Sequence, residues 1–241
     1  LSTEAFIPTQ EQKQALAVLT DLLEKKQKKP VLLHGITGSG KTEIYMQMIE
    51  KVLQRGQQAI VLVPEISLTP LMVERFLSRF GEKVSVTHSR LNYGERYDQW
   101  KKAREKEISI IIGPRSALFM PFDNLGMIII DEEHESSYRS DTTPKYDARE
   151  VAIQMSYMTG CLLLMGSATP DLVTYHKAIT GQYILLTLKN RTKGSHLPCV
   201  TVTDMRQELE EGNRSVFGRK LLEAIRQNIQ NKRQTILFLN R

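Results

Sequence analysis

Cysteine, long hydrophobic runs and a signal-like N-terminus are the features that this sequence lacks. It contains 2 cysteines in 241 residues, Cys161 and Cys199, and their surroundings show neither disulfide nor metal-ligand spacing. No apolar run approaches the ~20 residues of a membrane-spanning helix, and the first residues lack the apolar core of a secretory signal peptide. These absences predict a cytoplasmic protein with no disulfide framework and no membrane partner.

Acidic residues are also in the minority, with 27 Asp and Glu against 33 Lys and Arg. The formal net charge is +6 and the isoelectric point is near 9.2, a balance that favours a polyanionic partner without proving one. The remaining composition, 41% hydrophobic and 25% charged, is ordinary for a globular protein. The length allows one large α/β domain, or one domain and part of a second.

A glycine-rich segment that follows a short apolar run is the strongest motif. Residues 31–34 are rich in strand formers, and apolar pairs recur with a helical period after residue 43. The segment between them fits G-x-x-x-x-G-K-[ST] and consists of Gly35, Ile36, Thr37, Gly38, Ser39, Gly40, Lys41 and Thr42. Such a P-loop wraps a triphosphate with backbone amides at a helix N-terminus. The alternative is a chance glycine-rich turn, which the order of strand, loop and helix argues against.

An acidic segment follows the apolar run 127–130 and consists of Asp131, Glu132, Glu133 and His134. P-loop enzymes deliver a carboxylate to Mg²⁺ from the end of a buried strand. On this reasoning Asp131 holds Mg²⁺ through water, and Thr42 is a direct ligand. Glu132 orients and deprotonates the attacking water, while Lys41 neutralises the β- and γ-phosphates. The alternative is a solvated acidic loop.

Strand-like and helical patterns alternate over most of the chain. Strands are predicted at 59–63, 84–87, 108–112, 127–130 and 162–165. Helices are predicted over 9–24, 95–105 and 170–180, with others that begin near residues 70 and 148. In the helix 95–105 we expect Tyr97 and Trp100 to face inward, and we expect Asp147 to form a capping box with Glu150. The alternation predicts an α/β fold, a mostly parallel sheet with helices on both faces.

The pattern changes near residue 190. Residues 189–195 are polar and basic, and they are followed by strand-like runs at 200–203 and 235–239. Between these runs lies a helix whose apolar face is formed by Leu221, Leu222, Ile225 and Ile229. We predict a first domain over 1–190, and over 191–241 a linker with the start of a second domain whose remainder is missing. The alternative is that these segments form the far edge of the first sheet.

Several blocks of the sequence resemble a known family. The run Asp-Glu-Glu-His at 131–134 and Gly-Ser-Ala-Thr-Pro at 166–170 look like motifs of the DExH branch of superfamily 2 helicases. Further blocks are similar to those of the PriA (primosomal protein N′) family of replication-restart helicases, in the family's order, at 63–69, 88–89, 113–119 and 236–241. The resemblance implies two RecA-like P-loop lobes with ATP between them. It also implies ATP-driven 3′→5′ movement on DNA at stalled replication forks.

The resemblance also implies roles for individual residues. Gln12 corresponds to the family's adenine-reading glutamine, and the group that couples nucleotide state to DNA grip is His134, Ser167 and Thr169. The blocks that hold the DNA backbone contain Ser67, Thr69, Arg115 and Ser116. Hydroxyls and guanidinium groups suit that task because phosphate contacts position a protein without reading sequence. Thr69 has an ordinary alternative role as a helix cap.

The loop 135–146 matches a family segment that is rich in aromatic residues and senses single-stranded DNA, for which Tyr138 and Tyr146 would stack on bases. Surface tyrosines without that role are the alternative. Three residues depart from the family pattern, namely Arg90, Pro114 and Pro144.

Partners implied by the resemblance are single-stranded and forked DNA, other primosome proteins and the single-stranded-DNA-binding protein. The family's zinc module and arginine fingers would lie beyond residue 241, so ATP and Mg²⁺, and no zinc, are expected here, with weak turnover by this segment alone. Two readings from other classes stay open: a P-loop kinase, and a non-catalytic DNA-binding scaffold that responds to ATP.

Overall fold

The computed structural model describes residues 8–192 and 199–238. The strands in these ranges are β1 (Val31–Gly35), β2 (Gln58–Leu62), β3 (Val84–Val86), β4 (Ile110–Gly113), β5 (Leu125–Asp131), β6 (Leu162–Ser167) and β7 (Ile184–Leu188). The α-helices are α1 (Gln10–Glu24), α2 (Lys41–Gln54), α3 (Pro70–Phe80), α4 (Tyr93–Arg104), α5 (Ala148–Thr159), α6 (Leu172–Ile179), α7 (Met205–Glu210) and α8 (Arg219–Gln230). None of these helices is long and apolar enough to cross a membrane.

The strands form one sheet in the order β3-β4-β2-β5-β6-β1-β7, and each neighbouring pair is parallel. The predicted parallel sheet with helices on both faces is therefore confirmed. The edge strand β7 was not predicted from the sequence. Its residues are mostly half-buried, so its pattern lacks the continuous apolar signal of the central strands.

Two hydrophobic layers cover the two faces of the sheet. One layer packs Leu33 and Ile129 of the strands against α1, α2 and Phe76 of α3. The other packs Leu32 and Ile130 against α5, α6 and the 3-10 helix Arg115–Phe119. Successive strand residues point to opposite faces, so the central strands are apolar on both sides.

Two predicted helix caps have different outcomes. At the start of α1, Thr9 and Gln12 form the predicted capping box, with both reciprocal hydrogen bonds present. At the start of α5, the Asp147 carboxylate instead accepts from the backbone and side chain of Arg149. The predicted box between Asp147 and Glu150 is therefore wrong, because the nearer arginine occupies the carboxylate.

Helix α4 also differs from its prediction. Tyr97 and Trp100 are 62% and 37% exposed, so the expectation that both face inward is wrong. The helix connects the three-residue edge strand β3 to β4, and Ala103 is its buried residue. A short edge strand offers little surface to cover, which leaves the large side chains of α4 outside.

The chain divides into two compact units, residues 1–195 and 196–241. Described residues 199–238 contain α7 and α8 and no strand, so the strand predicted at 200–203 is wrong. The strand predicted at 235–239 is absent from residues 235–238, and residue 239 lies outside the described residues. Residues 193–195 of the polar, basic segment and residues 240–241 of the last family-like block also lie outside them. The predicted helix over residues 221–229 is confirmed as α8.

Candidate functional site

Loops that follow three neighbouring strands meet at one edge of the sheet. Strand β6 lies between β1 and β5, and its pairing places His34 level with Ser167 and Asp131 level with Gly166. The P-loop follows β1, and the acidic segment follows β5. The two segments therefore start two strands apart, about 10 Å across the sheet. The structure brings the two predicted segments together.

The P-loop turn uses left-handed glycines and leaves a helix end uncapped. Gly38 and Gly40 have φ of 81° and 85°, a conformation that favours glycine. Gly40 is the N-cap of α2 and supplies no side-chain cap, so no capping side chain takes the first N–H groups of this helix. Lys41 is buried and donates from Nζ to the carbonyl oxygen of Gly35 at 2.8 Å. Amides, a helix dipole and an ammonium group fit an anionic phosphate.

The other residues of the motif frame this turn. Ile36 and Thr37 are exposed at its tip, whereas Thr42 is half-buried in the first turn of α2. Ser39 is buried, and its hydroxyl has no hydrogen-bond partner among the described residues. Such a buried hydroxyl is a group that a bound phosphate or water would satisfy.

Gln12 holds the P-loop from outside. Its side chain is fully buried, donates from Nε2 to the carbonyl oxygen of Ser39 at 2.7 Å and accepts from the Thr9 amide at 2.8 Å. A side chain at Gly40 would collide with the Gln12 amide. In this conformation Gln12 supports the turn directly, and its adenine-reading role stays a prediction.

Two tyrosines hold Asp131. The Tyr45 hydroxyl, on α2, donates to Asp131 Oδ1 at 2.9 Å, and the Tyr138 hydroxyl donates to the Asp131 carbonyl oxygen at 2.6 Å. Burial raises the pKa of the Asp131 carboxyl, and the neighbouring Glu132 raises it further. The hydrogen bond from Tyr45 and the charge of Lys41 act in the opposite direction. The result is an oriented carboxylate beside the P-loop lysine.

The turn after Asp131 is fixed through its backbone. Glu132 has a φ of 45°, which is uncommon for a residue other than glycine. The next residue, Glu133, donates its N–H to the Gly166 carbonyl oxygen at 3.1 Å and accepts from Arg149 Nη1 at its own carbonyl at 3.0 Å. These bonds fix the backbone on the C-terminal side of Glu132 and so limit where its side chain can lie.

The Glu133 carboxylate is itself buried and faces away from solvent. It accepts from the backbone N–H of Asp171 at 2.8 Å and from the Thr174 hydroxyl at 3.0 Å. Burial raises the pKa of the Glu133 carboxyl, whereas both hydrogen bonds lower it. Glu133 thus ties the acidic turn to the first turn of α6.

His134 bridges the acidic turn and the segment after β6. Its Nδ1 lies 2.8 Å from the Ser167 hydroxyl and 3.7 Å from a carboxylate oxygen of Glu132. Its Nε2 lies 3.5 Å from the Thr169 hydroxyl, and Ser167 Oγ accepts from the Thr169 amide at 3.0 Å. The structure therefore brings together His134, Ser167 and Thr169, while their coupling role stays a prediction.

The predicted DNA-contacting residues lie further along the same edge, after β2 and β4. Ser67 is half-buried, whereas Ser116 and Thr69 are exposed. The Thr69 hydroxyl accepts from the Met72 amide, so its ordinary role as the α3 cap is present. A cavity of about 280 Å³ opens here, and its lining includes Glu65, His88, Ser89, Arg96, Arg115 and Ser116.

The loop 135–146 gives a mixed result. Tyr138 is 1% exposed and packs in the core, so its predicted stacking on bases is wrong in this conformation because neither ring face is open. Tyr146 is half-buried and meets Phe119 edge to face at 5.3 Å, and its role stays a prediction. Arg115 Nη1 donates to the carbonyl oxygens of residues 137 and 139, so the predicted phosphate-binding side chain also supports this loop.

Tyr45 and Glu133 are functional-site residues that sequence reasoning missed. Tyr45 was placed only in the apolar pattern of a helix, and Glu133 only in a run of acids. A tyrosine beside apolar residues, at the fifth position of α2, carries no signal for its distant partner Asp131. The contact depends on α2 crossing the strand ends, which only the fold determines.

Comparison with known proteins shows which family the residues around this site resemble. The sequence profile of DEAD/DEAH box helicases matches residues 9–178. The chain is 52% identical over 239 residues to the replication restart protein PriA of Bacillus subtilis, covering 99% of this chain and 30% of that protein. It is 46% identical over 238 residues to the Synechocystis protein of the same name, covering 97% and 28% respectively. The chain thus spans about 30% of the length of these curated relatives.

A solved structure supports the fold. The structure of RecG bound to a three-way DNA junction superposes with a TM-score of 0.62 and 23% identity, covering 94% of this chain and 28% of that chain. The architecture is accordingly the RecA-like α/β fold of helicases. Among the described residues, no group of three or more His, Cys, Asp or Glu side chains could hold a metal ion.

Proposed function

The chain belongs to the DEAD/DEAH box helicase family, and from this premise we propose that it binds ATP with Mg²⁺ as the first lobe of a replication-restart DNA helicase. The lobe would extend over residues 1–190, and 191–241 would form a linker and the start of a second lobe. In the whole protein, ATP hydrolysis would drive 3′→5′ movement along single-stranded DNA at stalled forks. The similarity to PriA proteins supports this choice over a P-loop kinase or a scaffold.

One observation carries the proposal: the hydrogen bond from Tyr45 to the Asp131 carboxylate. Tyr45 stands on the helix that begins at the P-loop, and Asp131 ends the strand that leads to the acidic turn. A direct bond between them supports the proposal that the phosphate-binding turn and the acidic turn act on one ligand. Both are needed to bind a nucleotide and hydrolyse it.

Each residue then has a chemical task. The backbone amides at the start of α2 and the Lys41 ammonium bind the β- and γ-phosphates. Thr42 and Asp131 would hold Mg²⁺, which supplies charge neutralisation at those phosphates when bound. Glu132 orients the attacking water and accepts its proton, while Gln12 supports the turn and reads the adenine. His134 would couple the nucleotide bound at this site to the segment after β6 through its contacts with Ser167 and Thr169.

The DNA side of the proposal uses the exposed part of the same sheet edge. Hydroxyl and guanidinium groups there would contact phosphates of single-stranded DNA, from Ser67, Thr69, Arg115 and Ser116. Tyr146 would stack on a base. The relatives named replication restart protein support the further proposals of forked DNA, primosome proteins and the single-stranded-DNA-binding protein as partners, and of action in the cytoplasm.

The decisive experiment measures nucleotide binding and ATP hydrolysis with and without single-stranded DNA. Lys41→Ala should abolish nucleotide binding, whereas Glu132→Gln should bind ATP and fail to hydrolyse it. Matched controls are Lys51→Ala on the same helix and Asp141→Asn, an exposed position in the loop 135–146. Both should behave like wild type. DNA-independent turnover that survives both site changes would refute the proposal, and phosphate transfer to an acceptor would favour a kinase.

A further inference from the structure

The segment after β7 is fastened to the start of α1. The Glu11 carboxylate accepts three hydrogen bonds from it, namely from the Lys189 amide at 2.9 Å, the Asn190 amide at 3.1 Å and the Asn190 side chain at 2.7 Å. One half-buried carboxylate thus takes two consecutive backbone N–H groups and a side-chain amide. Charge-assisted bonds of this kind are stronger than neutral ones.

The same segment then reaches the P-loop. Thr192 donates to the carbonyl oxygen of Gly38 from its backbone N–H at 3.0 Å and from its hydroxyl at 3.1 Å. Its methyl group packs near Gly40, where an added Cβ would lie 3.1 Å from Thr192 Cγ2. Residues 189–192 therefore cover the outer side of the phosphate-binding turn.

These contacts determine which way the peptide units of the turn face. Thr192 holds the carbonyl of Gly38, and Gln12 holds the carbonyl of Ser39. In a trans peptide the N–H points opposite to the C=O, so the bond from Gln12 directs the Gly40 amide away from Gln12. The Ser39 amide, which lies opposite the Gly38 carbonyl, donates to the Ile36 carbonyl oxygen at 3.0 Å and closes the turn. A carbonyl that turned towards the phosphates would repel them. The carbonyls of Gly38 and Ser39 are thus both held by residues outside the motif.

We propose that Glu11, Asn190 and Thr192 form a clasp that positions the P-loop for nucleotide. Glu11 fastens the segment, and Thr192 holds the Gly38 carbonyl so that it does not turn towards the phosphates. These are positioning residues, since none of them touches the reacting atoms. The inference rests on the proposed function, because it assumes that the turn binds a nucleoside triphosphate. The clasp makes nucleotide affinity depend on the chain segment that leads out of the first unit.

The test compares nucleotide affinity of the protein and its Thr192→Val variant with a fluorescent ATP analogue. Loss of one neutral hydrogen bond should weaken binding about two- to tenfold. The melting temperature and the turnover rate at saturating ATP should stay unchanged, a split that a merely structural role would not give. Thr192→Ser, which keeps the hydroxyl, should restore affinity. Thr180→Val is the matched control, because the Thr180 hydroxyl donates to the carbonyl oxygens of His176 and Lys177 in α6, away from the P-loop.

Two further variants separate the outcomes. Glu11→Gln should weaken binding in the same way, and combining it with Thr192→Val should give less than the product of the two effects. Equal affinity of wild type, Thr192→Val and Glu11→Gln would overturn the clasp, as would a loss of melting temperature that accounts for the weaker binding. If Lys41→Ala binds as well as wild type, the proposed function itself fails; if only Lys41→Ala loses binding, the clasp alone fails.

Discussion

Tyrosines occupy two contrasting regions of the first unit. At the centre of the sheet edge, Tyr45 and Tyr138 are at most 1% exposed, and both hydroxyls donate to Asp131. On α4, Tyr93 and Tyr97 are 94% and 62% exposed. The same residue type is thus a buried structural support in one place and a surface side chain in the other. The difference comes from what lies on each side of the ring.

Cover on both faces explains the contrast. The central strands lie between two hydrophobic layers, and burial raises the pKa of both central tyrosines. Helix α4 donates a hydrogen bond from Gln99 to the Val86 carbonyl oxygen of the short edge strand, and its large aromatic side chains are exposed. Changes at the centre should therefore alter activity and stability, whereas changes to the exposed aromatic side chains of α4 should leave activity unchanged and alter stability little.

The largest expected effect is that of Asp131→Asn, which should reduce ATP hydrolysis to background while making the protein more stable at neutral pH. The pKa of Asp131 is raised in the folded state, so the folded protein binds more protons than the unfolded chain between the ordinary and the raised pKa. Stability contributed by this group is therefore lost as pH rises through that window, and the variant avoids the loss. Thermal melts from pH 4 to 8 should show a difference that grows with pH.

The exposed Asp141→Asn serves as the control for that series. A constant difference between Asp131→Asn and wild type across this range would contradict the burial of a carboxylate at the site.

The next effect is that of Gly166→Ala. A Cβ at this position would collide with the Tyr45 hydroxyl, and overpacking of this kind costs about 1–3 kcal/mol. Urea unfolding should show the loss, together with a lower turnover rate. Gly94→Ala on α4 is the matched control, because its Cβ would lie 3.3 Å from the Asn92 side-chain oxygen, a contact that a small shift of that exposed side chain relieves. The change there should be close to neutral. Equal stability of the two variants would remove the contrast between the regions.

Glu133→Ala should lower the free energy of unfolding by less than Gly166→Ala does. The unpaired donors that it leaves cost about 1–3 kcal/mol, and the removal of a buried carboxylate offsets part of that cost. The substitution leaves the Asp171 amide and the Thr174 hydroxyl without their acceptor. Unfolding in urea measures the loss, and the turnover rate should fall because the Glu132 turn loosens. Glu133→Gln, which keeps one acceptor, should lie between. A Glu133→Ala protein with wild-type turnover would show that α6 does not support the turn.

The smallest effect is expected on α4. Trp100 stacks on Tyr97 at 6.2 Å and lies under the Arg104 guanidinium at 5.3 Å. Exposed cation–π contacts contribute only about 0.5–1 kcal/mol. Trp100→Ala should change the free energy of unfolding by no more than this and leave ATP hydrolysis as it was. A loss comparable to that of Gly166→Ala would mean that α4 supports the fold more than its exposure suggests.

Sequence reasoning predicted the parts of this fold that local signals encode. Continuous apolar runs predicted the central strands, the Thr9 box predicted the start of α1, and the glycine pattern predicted the P-loop. Sequence reasoning failed where the burial of a side chain depends on an element distant in the chain. The inward assignment of Tyr97 and the outward assignment of Tyr138 are both reversed, because periodicity shows which residues share a face and not whether anything covers that face.

The candidate site shows the same limit. Motifs predicted that the P-loop and the residues around Asp131 act together, since each has its own spacing signature. They could not reveal the residues that hold those motifs in place. Tyr45 and Thr192 bond to partners 86 and 154 positions away in the chain. No local pattern connects such pairs.

The Tyr45 side chain fills the space that a side chain at Gly166 would occupy, beneath the strand ends. A tyrosine at position 45 is compatible only with the smallest residue at position 166, whereas a leucine at 45 would leave room for a methyl group. Substitutions at these two sites should therefore be coupled in evolution, so that homologues with alanine or serine at the glycine position have also given up the tyrosine.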